Sequence, residues 1–287
     1  MDKPTIIITG ANGFIGEYLV NYFSAKYWEV KAFVHSIPQN KLKDVEYVQY
    51  SLEKKPYEGA FKSVNYLVHC AYLRFEKNKM SDSINLSGTK TIVELCRENN
   101  IKPIFLSSFS AHKNAESHYG KSKLECEKLF DLSKDIVLKP GFVIGEKGMG
   151  SELIKRINGS SLFPLIGGGG QPIQTVSIDD LCSVIETVCI HDLSGLFYVA
   201  EQEPISMKNF YKEIAHQLNK KIRFISFPLP LLFFACKLFE TLGIKIPVSS
   251  ESVLGLKHLT KFDTENDLKK IGITLKKYRE SLQSVLK

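Results

Sequence analysis

A tyrosine and a lysine four positions apart, Tyr119 and Lys123, are the side chains in this sequence best suited to proton transfer. On a helix, residues at this spacing lie on one face, a single turn apart. A nearby ammonium stabilises a phenolate and lowers the tyrosine pKa, so the phenol can exchange protons near neutral pH. We therefore predict that Tyr119 is the catalytic acid or base. Lys123 is its predicted partner and can also hydrogen-bond a cofactor ribose.

Two serines precede this pair, at the end of a predicted strand. These are Ser107 and Ser108, and a hydroxyl at such a position can polarise a substrate carbonyl. His112 and His118 flank the same loop. We interpret both histidines as surface or loop residues rather than as a proton relay.

A glycine-rich turn at residues 9–16, TGANGFIG, follows the apolar run 6–8 and precedes an amphipathic segment. This order of strand, turn and helix is typical of a dinucleotide-binding loop. Glycines permit the sharp turn, the close approach of a pyrophosphate and tight packing of helix on sheet. The helix N-terminus offers N–H groups and a positive dipole end to the phosphates. The predicted cofactor-binding residues of the loop are Gly10, Asn12, Gly13, Phe14, Ile15 and Gly16.

The residues after the second predicted strand bear on which dinucleotide is bound. An NAD site usually presents Asp or Glu there to hold the adenosine ribose. This sequence has His35 and Ser36 instead, followed by Lys41 and Lys43, which tolerate a 2′-phosphate. We therefore predict NADP in preference to NAD, although no arginine stands at position 35. Ser51 takes the position near the adenine.

Apolar runs alternate with helical patterns through the first half of the chain. Strands are predicted at 6–8, 29–35, 45–50, 66–71, 103–107 and 136–140, and helices at 89–97 and 119–132. Such alternation requires right-handed crossovers and a parallel sheet that is covered on both faces. The predicted fold class is α/β, a Rossmann-type doubly wound parallel sheet with a smaller C-terminal substrate-binding domain.

The regular alternation of predicted strands and helices ends after residue 145. We predict an NAD(P)-binding Rossmann domain at residues 1–145 and a substrate-binding region at 146–287. Within the second region, residues 177–200 contain a helix at 178–190 and a strand at 196–200 that return to the Rossmann sheet. Four cations in this region are candidate diphosphate contacts, although each by itself is more typical of a surface charge: Lys155, Arg156, Arg223 and Lys257.

Composition excludes several function classes. The 287 residues carry a formal net charge of +7, but no arginine-rich or aromatic-interleaved stretch favours nucleic-acid binding. The six scattered cysteines form no zinc-binding pattern, so no metal is predicted, and they indicate a reducing, cytoplasmic location. The apolar segment 227–236 is shorter than the roughly 20 residues of a membrane span. It is predicted as a buried helix, with peripheral membrane contact as the alternative.

Several motifs together resemble the extended branch of the short-chain dehydrogenase/reductase superfamily, the NAD-dependent sugar-nucleotide epimerases, dehydratases and reductases. The matching segments are 9–16, 69–71, 84–89 with Asn85, 139–145 and 176–181. The resemblance implies that Ser108, Tyr119 and Lys123 form a catalytic triad, with Ser110 as the fallback for the serine. It also implies that Cys70 and Ala71 lie against the cofactor and that Pro140 and Val143 pack on its nicotinamide.

Departures from the family pattern limit which of the family's reactions we expect of this chain. Dehydratases of the family carry a Thr-Asp-Glu series near the catalytic serine, whereas residues 108–110 of this chain are Ser-Phe-Ser. The sequence therefore favours an NAD(P)-dependent epimerase or reductase acting on a sugar nucleotide. The alternatives are a reductase of a non-sugar carbonyl, with the apolar segment 228–234 lining its pocket, and a catalytically silent NAD(P)-binding subunit. Family members often dimerise through a four-helix bundle, which segments 89–97 and 119–132 could supply.

Overall fold

The computed structural model describes residues 3–74, 80–244 and 248–286. Two compact units interleave along the chain. The first comprises Met1–Ser108, Ser122–Lys139 and Leu181–Phe197, and the second comprises Phe109–Lys121, Pro140–Asp180 and Tyr198–Lys287. The predicted division into domains at residue 145 stays a prediction.

Strands and helices alternate through much of the described chain. The strands are β1 (Thr5–Thr9), β2 (Glu29–Val34), β3 (Val45–Gln49), β4 (Tyr66–His69), β5 (Lys102–Leu106), β6 (Ile136–Pro140), β7 (Phe142–Ile144), β8 (Leu162–Ile166), β9 (Pro172–Ile173), β10 (Thr175–Ser177), β11 (Gly195–Val199), β12 (Ile205–Ser206) and β13 (Arg223–Phe227). The helices are α1 (Phe14–Ser24), α2 (Ser81–Glu98), α3 (His118–Glu127), α4 (Gly148–Gly159), α5 (Ile178–Ile190), α6 (Met207–Gln217), α7 (Leu229–Thr241), α8 (Ser250–Lys257), α9 (Glu265–Ile271) and α10 (Tyr278–Val285).

Seven strands form the main sheet in the order β11-β6-β5-β4-β1-β2-β3. The pairs from β6 through to β3 are parallel. Strand β1 is buried at every position, which explains why its apolar run does not alternate with polar residues. The chain leaves β1 in the middle of the sheet and passes first to β2 and β3, then back to β4. This reversal of strand order creates the crevice in which such sheets bind ligands.

The first unit buries apolar side chains on both faces of its sheet. On one face, Ile7, Phe33 and Leu67 pack with Ile92 and Leu95 of α2. A second cluster combines Phe105 and Val137 with Cys126 and Phe130, and the two phenylalanine rings stack with centroids 5.0 Å apart. The predicted doubly wound parallel sheet is therefore confirmed.

The second unit has a core of its own, formed by Ile144, Phe163, Phe210, Ile214 and Leu282, among others. Parallel pairs join β10 to β7 and β13 to β8. The hydroxyl of Ser206 caps α6 by accepting the N–H of Asn209, which fixes where that helix begins. None of the helices in the described ranges is long and apolar enough to cross a membrane.

Most predicted elements agree with the structure to within one or two residues, but the helices predicted at 89–97 and 119–132 differ more. The helix predicted at 89–97 begins earlier, at Ser81. The helix predicted at 119–132 ends at Glu127. The carboxylate of Asp135 accepts the N–H of Asp131 at 2.8 Å and is itself held by Arg97, so the chain turns away from the helix there.

The prediction of a buried helix at 227–236 is wrong. Helix α7 exists, but Cys236 is its one buried residue. The helix packs through one side only: Cys236 Sγ donates to the carbonyl of Val248 at 3.3 Å, and the Glu240 carboxylate accepts the N–H and hydroxyl of Ser250. An apolar run predicts burial because apolar side chains usually lie in the protein interior. Much of the apolar surface of α7 instead stays exposed to water.

Candidate active site

Three glycines shape the turn between β1 and α1. Gly10 has a φ of +66°, and a Cβ there would lie 2.8 Å from the backbone nitrogen of Ala71. A Cβ on Gly16 would lie 2.3 Å from the carbonyl oxygen of Gly10, so α1 approaches the turn more closely than any side chain allows. Gly13 is the N-cap residue of α1, and no side chain caps this helix. The turn therefore fits a phosphate placed against the first-turn N–H groups, which begin at Phe14 and Ile15.

The threonine that ends β1 organises the backbone behind this turn. Thr9 Oγ1 accepts the N–H of Cys70 at 3.1 Å and the N–H of Ala71 at 3.2 Å. Because a hydroxyl has one proton, Thr9 donates it to Nδ1 of His69, which lies 2.8 Å away. The predicted cofactor-contacting residues Cys70 and Ala71 are thereby held at the edge of the Gly10 turn.

His69 continues this chain of hydrogen bonds into α2. With Nδ1 as acceptor, Nε2 carries the ring proton and donates to Thr89 Oγ1 at 3.2 Å, and Thr89 donates to the carbonyl of Asn85 at 2.7 Å. Burial, with a smaller contribution from the Lys123 charge, lowers the pKa of His69 to about 3. His69 is thus a neutral structural link rather than a titrating group at physiological pH.

Asn85 also fixes the segment that follows β4. Its side-chain oxygen accepts the N–H of Leu73 at 2.8 Å, and its side-chain nitrogen donates to the carbonyl of Leu73 at 2.9 Å. One amide therefore satisfies both backbone groups of a residue close to the predicted cofactor contacts.

The ends of β2 and β3 offer polar groups and no carboxylate. His35 and Ser36 are exposed after β2, with His35 Nδ1 3.3 Å from Ser36 Oγ. The side chain of Asn12 donates to the carbonyl of Ser36 at 2.7 Å, which ties the glycine turn to this strand end. Ser51 is half-buried two residues after β3 ends.

Lys123 is a buried cation on α3. Its Nζ donates to the carbonyl of Leu106 at 2.7 Å, and it lies 4.6 Å from the ring centroid of Phe105 and 5.0 Å from that of Tyr72. These ring faces attract the ammonium electrostatically. Burial nevertheless lowers the pKa of Lys123 to about 8. The neighbouring Lys121 and Lys128 are exposed. The lysine-rich stretch 121–128 therefore contains solvated lysines as well as the buried Lys123.

A buried ionic cluster supports the end of β5. The hydroxyl of Ser107 donates to Glu127 Oε1, and Lys139 Nζ lies 2.8 Å from the same oxygen and 3.0 Å from Oε2. Glu127 comes from α3 and Lys139 from β6, so one carboxylate connects a helix with the ends of two strands. The predicted catalytic residue Ser108 is next in the chain to this anchored Ser107.

The other predicted site residues lie in the second unit. Tyr119 is in the first turn of α3 and is 39% exposed. The boundary between the units falls within this helix, after Lys121. Pro140 is buried at the end of β6, and Val143 is half-buried in β7. The fallback Ser110 is half-buried, and a Cβ on Gly120 would lie 2.3 Å from its carbonyl oxygen.

A small cavity in the second unit is lined by Ser110, His112, Glu116, His258 and Phe262, among others. Its volume of about 10 Å³ holds roughly one water molecule. It therefore has no room for a substrate. Within residues 3–74, 80–244 and 248–286, no group of three or more His, Cys, Asp and Glu side chains is placed to hold a metal ion.

The sequence as a whole matches one protein family. The model of the NAD dependent epimerase/dehydratase family aligns with residues 6–193, more than half of the chain. The chain belongs to this family. Membership accounts for the glycine turn, the parallel sheet and the crevice at the strand ends. It confirms the predicted nicotinamide dinucleotide as the cofactor class, while the preference for NADP and the roles of individual residues stay predictions.

Relatives in the family differ in what they act on. A UDP-N-acetylglucosamine 4,6-dehydratase (inverting) of Campylobacter jejuni is 24% identical over 182 residues, which are 54% of each protein. A ceramide reductase of Caulobacter vibrioides is 21% identical over 248 residues, 83% of this chain and 78% of the relative. The chain spans about half the length of the dehydratase relatives it matches.

A solved structure shares the fold over nearly the full length. The UDP-N-acetylglucosamine 4-epimerase from Bacillus cereus aligns with a TM-score of 0.74 over 99% of this chain and 95% of that one, at 16% identity. At this identity the likeness concerns the fold, whose predicted class it supports.

Sequence reasoning missed Glu127, the role of Lys139 and the link from Thr9 to His69. Two of these, the link from Thr9 to His69 and the role of Lys139, had a signal in the sequence. Thr9 and His69 are polar residues that end apolar runs, but their contact follows only from the strand order, which makes them direct partners in the register of β1 and β4. Lys139 is a lone cation in the otherwise apolar β6.

Proposed function

We propose that this protein transfers hydride between a nicotinamide dinucleotide and a ring carbon of a sugar nucleotide, as a 4-keto reductase or a 4-epimerase. The observation that carries the proposal is the buried ammonium of Lys123, held at the end of β5 by the Leu106 carbonyl, on the helix that also bears Tyr119. Burying a charge costs free energy unless the charge is paired with another group. Ionisable groups in such surroundings are often found at functional sites.

In this proposal the dinucleotide lies along the strand ends of the first unit. The pyrophosphate binds at the N-terminus of α1, at Gly13, and the adenosine ribose contacts His35 and Ser36. The remaining contacts are assigned by the family motifs: Ser51 with the adenine, Cys70 and Ala71 with the cofactor near Gly10, and Pro140 and Val143 with the nicotinamide. A bound nicotinamide supplies the hydride donor or acceptor.

The chain's own residues supply binding and proton transfer. An ammonium has three N–H donors, and the Leu106 carbonyl takes one from Lys123, so the others can be donated to a ribose. The positive charge of Lys123 also favours the phenolate form of Tyr119, which moves the proton of the substrate hydroxyl. Ser108 donates a hydrogen bond to the substrate oxygen as negative charge develops on it.

A dehydratase reaction is less well supported. Elimination of water needs an acid and a base beside the substrate, and residues 107–110 carry no carboxylate. Glu127, a buried carboxylate of the first unit, is committed to Lys139 and Ser107.

The cofactor preference and the reaction type are tested together by the dinucleotide that the protein retains. The freshly purified protein is denatured, and any released dinucleotide is identified by mass spectrometry. Retained NAD⁺ supports an epimerase, whose cofactor is regenerated in each cycle. An empty site or bound NADP(H) supports a reductase and agrees with the absence of an acid after β2.

Turnover tests the roles of the residues. NADPH and NADH oxidation is followed with UDP-4-keto sugars, and epimerisation of UDP-glucose and UDP-N-acetylglucosamine is followed by NMR. We expect Tyr119→Phe and Lys123→Met to lower the rate by about 10²–10⁴-fold. The matched control is Tyr27→Phe, because Tyr27 is exposed and lies outside the proposed site. Full activity of Tyr119→Phe would exclude the proposed proton transfer.

A second candidate is reduction of a carbonyl on a lipid. The relative called ceramide reductase aligns with more of this chain than the dehydratase does, 83% against 54%. Oxidation of NADPH with a keto-lipid and not with any UDP-4-keto sugar would favour it. Dinucleotide binding without turnover of either substrate class would instead favour the silent binding subunit.

Two further expectations accompany the main proposal. We propose that the protein works in the cytoplasm and forms a homodimer through the segments 89–97 and 119–132. Light scattering coupled to gel filtration measures the oligomeric state. A mass of 32.4 kDa, that of one chain, would contradict the dimer.

A further inference from the structure

The second unit carries exposed apolar side chains on β13, on α7 and at the C-cap of α7, which we name the α7 apolar surface. Its members are 40–69% exposed: Ile225, Phe227, Leu231, Phe234, Leu238 and Leu242. The first two share one face of β13, since alternate residues of a strand point the same way. The others follow at spacings of three or four along α7, so they form one stripe. Contiguous apolar patches of this kind mark interaction sites on soluble domains.

The opposite side of α7 already has its partner within the fold. Cys236 and Glu240 bond to Val248 and Ser250, at the start of α8. The core of the second unit therefore does not need the exposed stripe for its own packing. Side chains that are mostly exposed contribute little to folding, so the stripe can be changed without unfolding the protein.

The segment that bears this surface is predominantly positive. Residues 219–244 contain four cations, Lys220, Lys221, Arg223 and Lys237, and one carboxylate, Glu240, giving a net charge of +3. All four cations are exposed, and Arg223 shares the strand face of Ile225 and Phe227. Glu240 accepts two hydrogen bonds from Ser250, so its charge is partly satisfied internally.

We propose that the α7 apolar surface docks on the surface of a bilayer containing anionic phospholipids. Helix α7 has 13 residues and is about 20 Å long, too short to span but long enough to lie in the interface. Leucine and phenylalanine enter the headgroup boundary, and the flanking lysines and arginine contact lipid phosphates. The apolar stripe and the surplus of cations together favour a lipid surface over a second copy of this chain, whose own stripe would be equally positive.

Flotation of the full chain with vesicles tests this proposal. We expect binding to vesicles of 70% phosphatidylcholine and 30% phosphatidylglycerol, weaker binding to pure phosphatidylcholine, and weakening at high salt. The double variant Leu231→Ser/Phe234→Ser should bind at least about 10-fold more weakly. The matched control is Ile190→Ser, since Ile190 is 65% exposed in the first unit, and it should bind like the wild type.

A second measurement reports insertion directly. The only native tryptophan, Trp28, is buried, so Phe234→Trp adds an exposed reporter. Brominated lipids should quench the added fluorescence and leave that of Trp28 unchanged. Equal binding by the double variant, no binding to either vesicle, or no quenching would overturn the proposal. So would a dimer in light scattering that the double variant converts to monomer, because the stripe would then be a protein interface.

Discussion

Two glutamate–lysine pairs have nearly the same geometry and very different surroundings. In the first unit, Lys139 Nζ lies 2.8 Å from Glu127, and the two side chains are 3% and 9% exposed. In the second unit, Lys257 Nζ lies 2.9 Å from Glu116, and the side chains are 48% and 41% exposed. The distance between the charges therefore does not distinguish the pairs, whereas their access to water does.

The buried pair belongs to a group of polar side chains in the first unit that are shielded from water. It anchors Ser107, next to the proposed catalytic serine, and the buried Lys123 lies on the same helix as Glu127. The exposed pair joins the 109–117 loop to the end of α8, and its charges are hydrated. Water screens exposed charges, so removing one has little effect, whereas an uncompensated buried charge is strongly destabilising.

The largest expected effect comes from breaking the buried pair. Lys139→Met leaves the Glu127 carboxylate without its cation, and we expect the free energy of unfolding to fall by about 3–5 kcal/mol. Urea denaturation measures this change. Glu127→Met/Lys139→Met removes both charges and should recover most of the loss. A single variant as stable as the wild type would mean that the pair is not buried in solution.

A smaller, pH-dependent effect is expected at Lys123. Its pKa is about 8 in the folded protein and 10.5 in the absence of burial, so the unfolded chain binds more protons between these values. Stability must therefore rise with pH in that window, by up to about 1.4 kcal/mol per pH unit from this group. Lys123→Met removes this contribution.

Urea denaturation of both proteins at about pH 7, 8, 9 and 10 separates this contribution from the rest of the titration. Relative to Lys123→Met, the wild type should gain stability from about pH 8 upwards and show no such trend below it. Parallel curves at all four values would contradict the lowered pKa of Lys123.

The smallest effect is expected at the exposed pair. Hydrogen bonds from Lys257 and His258 hold the pKa of the Glu116 carboxyl below its usual value. Because both side chains are solvated, Lys257→Ala should leave the Tm unchanged within experimental error, at low and at high salt. A clear loss of stability would show that the two pairs are more alike than their exposure indicates.

The sequence predicted the first unit better than the second because its signals are local. The run 6–8 and the turn at Gly10 each lie within a few residues. The pairing of Glu127 with Lys139 depends on how α3 and β6 come together, which no local pattern encodes. The exposure of Leu231 and Phe234 was also missed, because an apolar run indicates an apolar environment without saying whether protein or lipid provides it.

Binding of a nicotinamide dinucleotide at the glycine turn, through the N-terminus of α1, underlies every proposed step. Gly13 is exposed and has φ and ψ of −80° and 167°, an extended conformation that other residues adopt, and a Cβ there would lie 3.1 Å from the carbonyl oxygen of Gly10. An aspartate is a favourable N-cap, yet its carboxylate would occupy the N–H groups that bind phosphate and would repel it. Both Gly13→Asp and Gly13→Ala add this close Cβ contact, so Gly13→Ala is the matched control and the comparison between them isolates the effect of the carboxylate.

Calorimetric titration with NADPH and NADH, alongside the Tm of each protein, tests this binding. We predict that the wild type binds at least one of them, that Gly13→Ala binds with modest weakening, and that Gly13→Asp binds at least about 10²-fold more weakly than Gly13→Ala, at a Tm equal to or higher than that of Gly13→Ala. Equal binding by Gly13→Asp, or a wild type that binds neither dinucleotide, would contradict phosphate binding at the N-terminus of α1.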